Sequence, residues 1–214
     1  QVTCADIGLS IDNYKIIHNY IDSSIFAFSP KREEQVKNIL LIRNFDNKKY
    51  ANDISIEFIK ELSKKEYFKD LKISIYGDGK LFDKLTGAVK GFDNVNINKG
   101  FITQQEIAML QKDYGIFLCP TRQDAQGVSM CEAMSSGLVP LSSLSTAIPE
   151  FVKDQDEGFL CNNREINSFI NSYEFLLNNP RKFLEMSKNA SMRVQGQCSL
   201  ENTIGKEIEL METM

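Results

Sequence analysis

Short apolar segments alternate with longer amphipathic ones along most of this chain. The short segments are apolar or β-branched and are bounded by Gly, Pro, Asn or Asp, a pattern typical of buried β-strands. They lie at residues 14–18, 38–43, 71–76, 95–98, 116–119 and 138–142. We therefore predict a strand at each of these positions.

The longer segments carry apolar residues at helical spacing. Helices are predicted over residues 53–65, 103–113, 181–194 and 199–214. The first of these places four apolar residues on one face, namely Ile54, Phe58, Ile59 and Leu62. The second opens with Thr103, a natural N-cap, and Glu106 follows three residues later as in a capping box.

Strands that alternate with helices predict right-handed βαβ units and a parallel, doubly wound sheet of the Rossmann-like α/β class. The first part of the chain fits this alternation poorly, so we predict a lead-in or linker over residues 1–36 and a domain over residues 37–214. In such sheets ligands bind at the carboxyl ends of the strands. Functional residues are therefore expected at 43–49, 77–79, 100–102 and 120–127.

The most informative segment is FLCPTRQDAQGVSMCEAMSSGLVPLSS, residues 117–143. A buried strand ends at Pro120, a polar loop follows, and a short helix is predicted from about Val128 to Ser136. Gly137 is suited to the left-handed conformation that closes a helix. This layout puts a helix N-terminus directly after a strand, where a ligand can reach it.

A helix that starts after Gly127 would present the free amides of Val128 and Ser129, which together form an anion site. Glycine at this position lets a phosphate approach the backbone closely. Two carboxylates flank the site: Asp124 lies on the preceding loop and Glu132 lies one helical turn in. The segment therefore predicts phosphate binding.

This segment resembles the signature of the retaining glycosyltransferases of family four, which have the GT-B fold. That signature has an acidic residue, seven others, then Glu in E-A-M-(A/S)-x-G, with a glycine three after the first acid. Asp124, Gly127 and Glu132 match this spacing. Asp124 departs from the pattern because Glu is usual there, which shortens the reach of the carboxylate by one methylene.

Five other segments resemble the same family in the same order. They are HNYID at 18–22 followed by Phe26, LLIRNFDNKKYAND at 40–53, ISIYGDG at 73–79, INKGFITQQEIAML at 97–110 and IPEFVKDQDEGFL at 148–160. The first is similar to the stretch that joins the two GT-B domains. The resemblance therefore implies that this chain is the donor-binding half of a GT-B enzyme and that an N-terminal acceptor domain is missing from it.

The resemblance assigns a diphosphate site. Arg43 and Lys49 would neutralise the leaving diphosphate, with Lys48 as the competing choice because the loop can be aligned either way. The amides after Gly127, those of Val128 and Ser129, would hold a phosphate. An arginine at the end of an apolar strand also needs a polar partner on physical grounds alone.

The resemblance also assigns the remainder of the donor. Glu132 would accept hydrogen bonds from the ribose hydroxyls, and Asp124 would bind hydroxyls of the sugar. Phe101 and Ile102 would lie against the base, with Gly77 in the Gly-x-Gly turn nearby. Catalysis would come mainly from stabilising charge on the leaving nucleoside diphosphate, without a protein nucleophile.

Composition narrows the classes of function. The chain has 42% hydrophobic residues and a net charge of -4, so a nucleic-acid partner is not expected. Its five cysteines are scattered, its single histidine has no metal-binding company, and no apolar run reaches the roughly 18 residues of a membrane span. We expect a cytoplasmic protein with reduced thiols and, because the sequence starts at Gln1, a piece of a longer one.

Two motifs suggest cofactors that we do not expect. Gly77-Asp78-Gly79 lacks the third glycine of a dinucleotide fingerprint, since Phe82 occupies that position. Asp154 and Asp156 have the D-x-D spacing of a metal motif but lie in a charged segment that predicts an exposed turn. We therefore predict no metal and no cofactor, only a nucleoside-diphosphate sugar as substrate.

The expected activity is transfer of a hexose from a nucleoside-diphosphate sugar, with UDP favoured over GDP or ADP, to a glycan or glycolipid acceptor. Bacterial surface polysaccharide synthesis follows from the family resemblance only, as does peripheral membrane association of the full-length protein. A chain without its acceptor domain would be inactive alone. Two alternatives stay open: a non-catalytic nucleotide-sugar-binding subunit and a GT-B sugar epimerase.

Overall fold

The computed structural model describes residues 14–213 and contains a six-stranded parallel sheet. The strands are β1 Asn38–Asn44, β2 Lys72–Asp78, β3 Val95–Lys99, β4 Ile116–Cys119, β5 Val139–Ser143 and β6 Phe159–Cys161. Their order across the sheet is β3-β2-β1-β4-β5-β6. The first strand therefore lies inside the sheet, β2 and β3 are added on one side of it, and β4 to β6 are added on the other side. The direction in which successive strands are added reverses between β1 and β4.

Helices connect these strands. They are α1 Asn52–Leu62, α2 Phe82–Thr86, α3 Gln104–Gln111, α4 Val128–Ser135, α5 Ile148–Phe151, α6 Ile166–Asn178, α7 Pro180–Gln197 and α8 Lys206–Glu212. Short 3-10 helices occur at Glu33–Lys37, Lys48–Tyr50 and Glu66–Asp70, and a π-helix at Glu201–Gly205 precedes α8. The α/β class predicted from the sequence is confirmed.

Both faces of the sheet are covered by helices. Successive residues of a strand point to opposite faces, so neighbouring strand residues belong to different buried clusters. Ile39 and Leu41 belong to a buried cluster with α1 and α6. Leu40 and Phe117 belong to a second buried cluster with α4 and α7. The inner strands β4 and β5 are therefore buried along their whole length, as expected of a parallel sheet between two helical layers, whereas the edge strand β3 is partly exposed.

Most predicted elements are confirmed. The strands expected at 38–43, 71–76, 95–98, 116–119 and 138–142 are all present within one or two residues of the predicted bounds. The helices expected at 53–65, 103–113 and 181–194 correspond to α1, α3 and α7. The segment predicted as one helix over 199–214 is divided between the π-helix and α8 as far as it is described.

One predicted strand is wrong. Residues 14–18 have no regular secondary structure, and the side chain of Ile16 is 61% exposed. The apolar character of this segment matched a strand, but no sheet strand pairs with it. Conversely, β6 and α6 were not predicted; β6 has only three residues, too few to produce a periodic pattern.

Residues 14–36 lie against the domain. Phe26 is 1% exposed within the second buried cluster, and its carbonyl accepts a hydrogen bond from Ser135 Oγ at 2.7 Å. The amide of Ile21 donates to the carbonyl of Cys198 at 3.0 Å. The lead-in is therefore bonded to both α4 and the end of α7.

The predicted thiols and membrane character can be examined over residues 14–213. Cys119, Cys131, Cys161 and Cys198 are free and buried, as predicted, while Cys4 lies outside the described residues. Burial raises the pKa of both Cys119 and Cys161 to about 11, which keeps them protonated at neutral pH. In the same part of the chain, no helix combines the length and apolarity that crossing a bilayer requires.

Candidate functional site

A cleft of about 260 Å³ opens at the carboxyl ends of β1 and β2, beside the point where the strand order reverses. Ligands of doubly wound sheets bind at this kind of position. The cleft is lined by Ile42, Arg43, Asn44, Tyr50, Tyr76, Gly77, Asp78, Gly100, Phe101, Ile102, Ile107 and Ser129. The structure therefore brings together predicted residues from three strand ends and from the start of α4.

Arg43, at the end of β1, is the most buried charge in this cleft, with a side chain only 4% exposed. Its Nη2 donates to the carbonyl of Cys119 at 3.1 Å, and its Nη1 donates to Ser129 Oγ at 3.3 Å. Asp124 Oδ2 lies 3.7 Å from Nη1. Nε has no hydrogen-bond partner among the described residues. A buried guanidinium at the wall of a cleft carries a positive charge that favours an anionic ligand there.

The start of α4 is open. Gly127 has the left-handed φ and ψ of 72° and 53°, and no described side chain caps the helix. The amides of Val128 and Ser129 are therefore the free donors that every helix start presents. Ser129 lines the cleft and its hydroxyl accepts a hydrogen bond from Arg43, so the start of α4 and the Arg43 guanidinium meet at the same space. Gly137 has a φ of 87° beyond the other end of the helix, which confirms the predicted left-handed position.

Asp124 holds the loop before α4. Its Oδ1 accepts hydrogen bonds from the amides of Gly127 at 2.7 Å and Gln126 at 3.3 Å. Its own amide donates to Thr146 Oγ1 at 3.0 Å, and that hydroxyl donates back to its carbonyl at 2.7 Å. The carboxylate thus shapes the turn that leaves the helix start open, and its second oxygen faces Arg43.

Glu132 lies one turn into α4 on the side that carries Ser129. Its carboxylate is half-buried and accepts a hydrogen bond from Gln104 Nε2 at 3.4 Å, so it faces the start of α3 and not the core. Burial raises the pKa of Glu132 to about 6. No cation is paired with it among the described residues, which leaves its oxygens available to hydroxyl donors.

The two candidate lysines lie on the 3-10 turn Lys48–Tyr50, where the side chain of Asn47 accepts from the amide of Lys49 at 3.0 Å. The ammonium of Lys49 lies 4.7 Å from the ring centre of Tyr50, and the Arg43 guanidinium lies 5.5 Å from the same ring. Tyr50 therefore contacts two cations at once, and it lines the cleft. These contacts favour Lys49 over Lys48 as the cation next to Arg43.

Gly77 and Phe101 lie on the far side of the cleft. A Cβ on Gly77 would come within 2.0 Å of the carbonyl oxygen of Arg43, so only glycine lets β2 end so close to β1. The carbonyl of Gly77 accepts from the amide of Gly100 at 2.9 Å, which fixes the loop after β3. Phe101 is 89% exposed and Ile102 is half-buried beside it. This edge presents an apolar surface suited to a flat ring.

Sequence reasoning missed several cleft residues. Ile42, Tyr50, Tyr76 and Ile107 line the cleft but were not expected to do so. Tyr50 carried a usable signal, since it is an aromatic residue directly after the two lysines of the loop that follows β1. The other three lie within strands or helices, where an apolar side chain that faces a ligand looks like any core residue.

The D-x-D segment forms a turn, as predicted. Asp154 Oδ1 accepts from the amide of Leu160 at 2.9 Å, and Asp156 pairs with Lys153 at 2.9 Å. His18 packs edge-on against Phe151 at 4.9 Å, a structural contact. Within residues 14–213, no group of three or more His, Cys, Asp or Glu side chains is arranged to hold a metal ion.

Curated proteins that resemble this chain in sequence include several that are named as glycosyltransferases. The chain is 26% identical over 164 residues to a poly(ribitol-phosphate) alpha-N-acetylglucosaminyltransferase of Staphylococcus aureus, covering 75% of this chain and 32% of the relative. It is 24% identical over 127 residues to an uncharacterized glycosyltransferase of Haemophilus influenzae, covering 58% of this chain and 36% of the relative. The chain thus spans about a third of the length of these relatives.

Solved structures share the fold. A mutant of TarM from Staphylococcus aureus, in complex with fondaparinux, alpha-GlcNAc-glycerol and UDP, matches with a TM-score of 0.82 at 23% identity, over 98% of this chain and 42% of TarM. HepE from Anabaena, in complex with UDP and glucose, matches with a TM-score of 0.82 at 14% identity, over 100% of this chain and 60% of HepE. At these identities the likeness concerns the fold.

The family assignment comes from the sequence itself. The model of the family described as "Glycosyl transferases group 1" matches residues 36–179, from the turn before β1 to the end of α6. This range is more than half of the chain and contains the cleft and the whole of α4. The chain belongs to the glycosyl transferases group 1 family.

Proposed function

We propose that this chain is the donor-binding domain of a retaining glycosyltransferase that uses a nucleoside-diphosphate sugar. A hexose would be moved to a glycan or glycolipid acceptor held by a further domain. The observation that carries the proposal is that the buried Arg43 and the uncapped start of α4 meet at one cleft. Two sources of positive potential at one cleft suit a diphosphate.

In this proposal the cleft stabilises the leaving group. The Arg43 guanidinium and the amides of Val128 and Ser129 would hold the diphosphate, with the Lys49 ammonium entering from the turn above Tyr50. Negative charge grows on the diphosphate as the bond to the sugar breaks. Fixed cations and amides that already point at this position lower the barrier without rearranging, and no metal or other cofactor is invoked.

The nucleoside and the sugar would occupy the two ends of the cleft. The exposed ring of Phe101 offers a stacking surface to a base, and Ile102 borders it. The half-buried carboxylate of Glu132 would accept hydrogen bonds from the ribose hydroxyls. Asp124 would contact the sugar through the oxygen that faces Arg43, since its other oxygen is bonded to the loop amides.

UDP is our preferred nucleotide. Both fold neighbours described above were solved with UDP, whereas another relative, from Xanthomonas campestris, is named a GDP-mannose-dependent mannosyltransferase. The Staphylococcus aureus relative is named for transfer to poly(ribitol phosphate), which supports a role in bacterial surface polymers. A cytoplasmic location would agree with donors of this class and with the free thiols.

Donor binding can be tested on the 214-residue chain with UDP-, GDP- and ADP-sugars. A donor at a hundred times its dissociation constant should stabilise the fold by about 2.7 kcal/mol, measured as a shift in thermal unfolding. Arg43→Met should weaken the preferred donor about tenfold or more, because a charged hydrogen-bonding partner is lost. Arg181→Ala, at an exposed arginine of α7, is the matched control. If none of the three donors stabilises the chain, the proposal fails.

Transfer needs the full-length protein. Product from labelled donor and a polyol-phosphate or glycolipid acceptor should keep the anomeric configuration of the donor, as NMR would show. Glu132→Gln should raise the donor KM strongly. A full-length protein that binds donor without transferring it would instead be a binding subunit, and one that converts the donor sugar to its epimer would be an epimerase.

A further inference from the structure

The lysine turn Lys48–Tyr50 is bonded to the loop that follows β4. The amide of Arg122 donates to the carbonyl of Lys49 at 2.7 Å, and Thr121 Oγ1 donates to the same oxygen at 3.1 Å. Arg122 Nη1 donates to the carbonyl of Lys48 at 2.8 Å. Two successive carbonyls of the turn are therefore held by residues more than 70 positions away in sequence.

The side chain of Arg122 is itself fixed in a fork. Nη1 and Nη2 donate to Asp53 Oδ1 and Oδ2, each at 2.8 Å, and Asp53 belongs to the first turn of α1. The hydrogen bond from Arg122 lowers the pKa of Asp53. Both side chains are 40% or more exposed, so solvent screens the charge of the pair. Its bidentate geometry nevertheless fixes the direction of the Arg122 side chain.

The same loop continues to the donor side of the cleft. The carbonyl of Arg122 accepts from Ser145 Oγ at 2.8 Å, and Asp124 follows two residues later. On the other side, the turn leads to Tyr50, whose ring contacts the Lys49 ammonium and the Arg43 guanidinium. Arg122 thus joins the segment that carries Lys49 to the segment that shapes the start of α4.

We propose that Arg122, fixed by Asp53, is a positioning residue that holds the lysine turn in the place where the Lys49 ammonium can reach the leaving diphosphate. This inference rests on the proposed function. An unrestrained lysine has three donors on a long flexible stem, so most of its value as a partner depends on where its backbone is held. Arg122 contributes through Lys49 and makes no contact with the donor.

The test measures the affinities of the 214-residue chain for UDP, GDP and ADP and for their monophosphates by calorimetry. For the diphosphate that binds most tightly, Arg122→Ala should weaken binding about fivefold, and Arg122→Lys nearly as much because lysine cannot form the fork. The affinity for the corresponding monophosphate should fall less than the affinity for the diphosphate. Lys60→Ala, which removes another exposed ion pair of α1, should leave both affinities unchanged.

A double variant separates positioning from a merely structural effect. If Arg122 acts through Lys49, adding Arg122→Ala to Lys49→Ala should cost little further affinity, whereas independent effects would multiply. Asp53→Asn, which loosens the fork and keeps Arg122, should give a smaller loss of about twofold. Asp53→Asn also tests the proposal if Arg122→Ala does not fold.

Each outcome has one meaning. A wild-type chain that binds none of the three diphosphates contradicts the proposed function. Two results would overturn the role of Arg122 alone, provided that the wild-type chain binds a diphosphate. In the first, Arg122→Ala binds it as tightly as wild type. In the second, Arg122→Ala causes the same loss of affinity in the Lys49→Ala background as in the wild-type background. Unfolding temperatures measured beside the affinities show whether any loss comes from partial unfolding.

Discussion

At the scale of single residues, Glu132 is ionised at neutral pH in a position where burial opposes its charge. Its pKa is raised to about 6 in the folded chain, against 4.5 for a fully solvated glutamate. The folded state therefore holds this proton more tightly than the unfolded state does. Ionisation lowers the free energy of unfolding as the pH rises from about 4.5 to 6, and the loss stays constant above that range.

Glu132→Gln should remove this cost. The variant is expected to have a free energy of unfolding about 2 kcal/mol higher than wild type at pH 7.5, with the difference fading to nothing near pH 4.5. Urea unfolding at several pH values would measure it, with Glu209→Gln at an exposed position of α8 as control. A difference that is absent at pH 7.5, or equal at all pH values, would contradict the account. Stability gained here together with donor affinity lost is the pattern expected of a binding-site carboxylate.

Gly77 is a second residue whose identity the site fixes. Gly77→Ala would drive a Cβ to 2.0 Å from the Arg43 carbonyl oxygen, a backbone atom that cannot turn aside. The ends of β1 and β2 must then separate, which should cost about 2–4 kcal/mol of stability and weaken donor binding as Arg43 shifts. Gly91→Ala, where a Cβ would meet nothing within 4 Å, is the control in the same urea titrations. Equal costs for the two variants would refute the argument.

At the scale of secondary-structure elements, helix α3 anchors the loop that presents Phe101. Thr103 accepts at Oγ1 from the amide of Glu106 at 3.2 Å, and Glu106 Oε2 accepts from the amide of Thr103 at 2.7 Å. This is the capping box predicted from the sequence, and it fixes the start of the helix directly after the loop that carries Phe101.

Thr103→Ala should therefore lower the free energy of unfolding by about 1 kcal/mol, while Thr103→Ser should retain most of the stability because serine caps as well. Thr103→Ala should also loosen the loop at Phe101. The affinity for nucleoside diphosphates should therefore fall more than the affinity for inorganic pyrophosphate. Chemical unfolding and calorimetry would give both quantities. An alanine variant as stable as the serine variant would show that the cap does not hold this helix.

Elements with strong local signals could be predicted from the sequence, and contacts between distant segments could not. Strands β1 to β5 are apolar runs between turn residues, and α4 is framed by two glycines, so their positions followed from the pattern. Residues 14–18 have the same local character but no strand beside them. Whether a segment pairs with another strand depends on the rest of the fold and cannot be read from that segment alone. The role of Arg122 depends on hydrogen bonds to a turn more than 70 positions away in sequence, which no spacing reveals.

At the scale of the whole molecule, the segment before β1 is bonded to the loop that precedes α4, at the proposed donor site. The amide of Asn19 donates to Gln126 Oε1 at 2.7 Å, and Gln126 Nε2 donates to the carbonyl of Asn19 at 3.1 Å. Gln126 directly precedes Gly127, the residue at the start of α4. A change in how this segment packs would therefore reach the amides proposed to bind phosphate through a single side chain.

Phe26 tests whether this segment is part of the folded unit. Its ring is buried in the cluster that includes Met134 of α4 and Val194 of α7, so Phe26→Ala should leave a cavity and cost about 3–5 kcal/mol of stability. Ile16→Ala, in the same segment but with a side chain 61% exposed, should cost less than about 0.5 kcal/mol. Urea unfolding of the 214-residue chain would measure both. If the segment were a loose tether, both variants would match wild type; a large cost confined to Phe26 would mean that any donor-binding domain cut from this protein must start before residue 26.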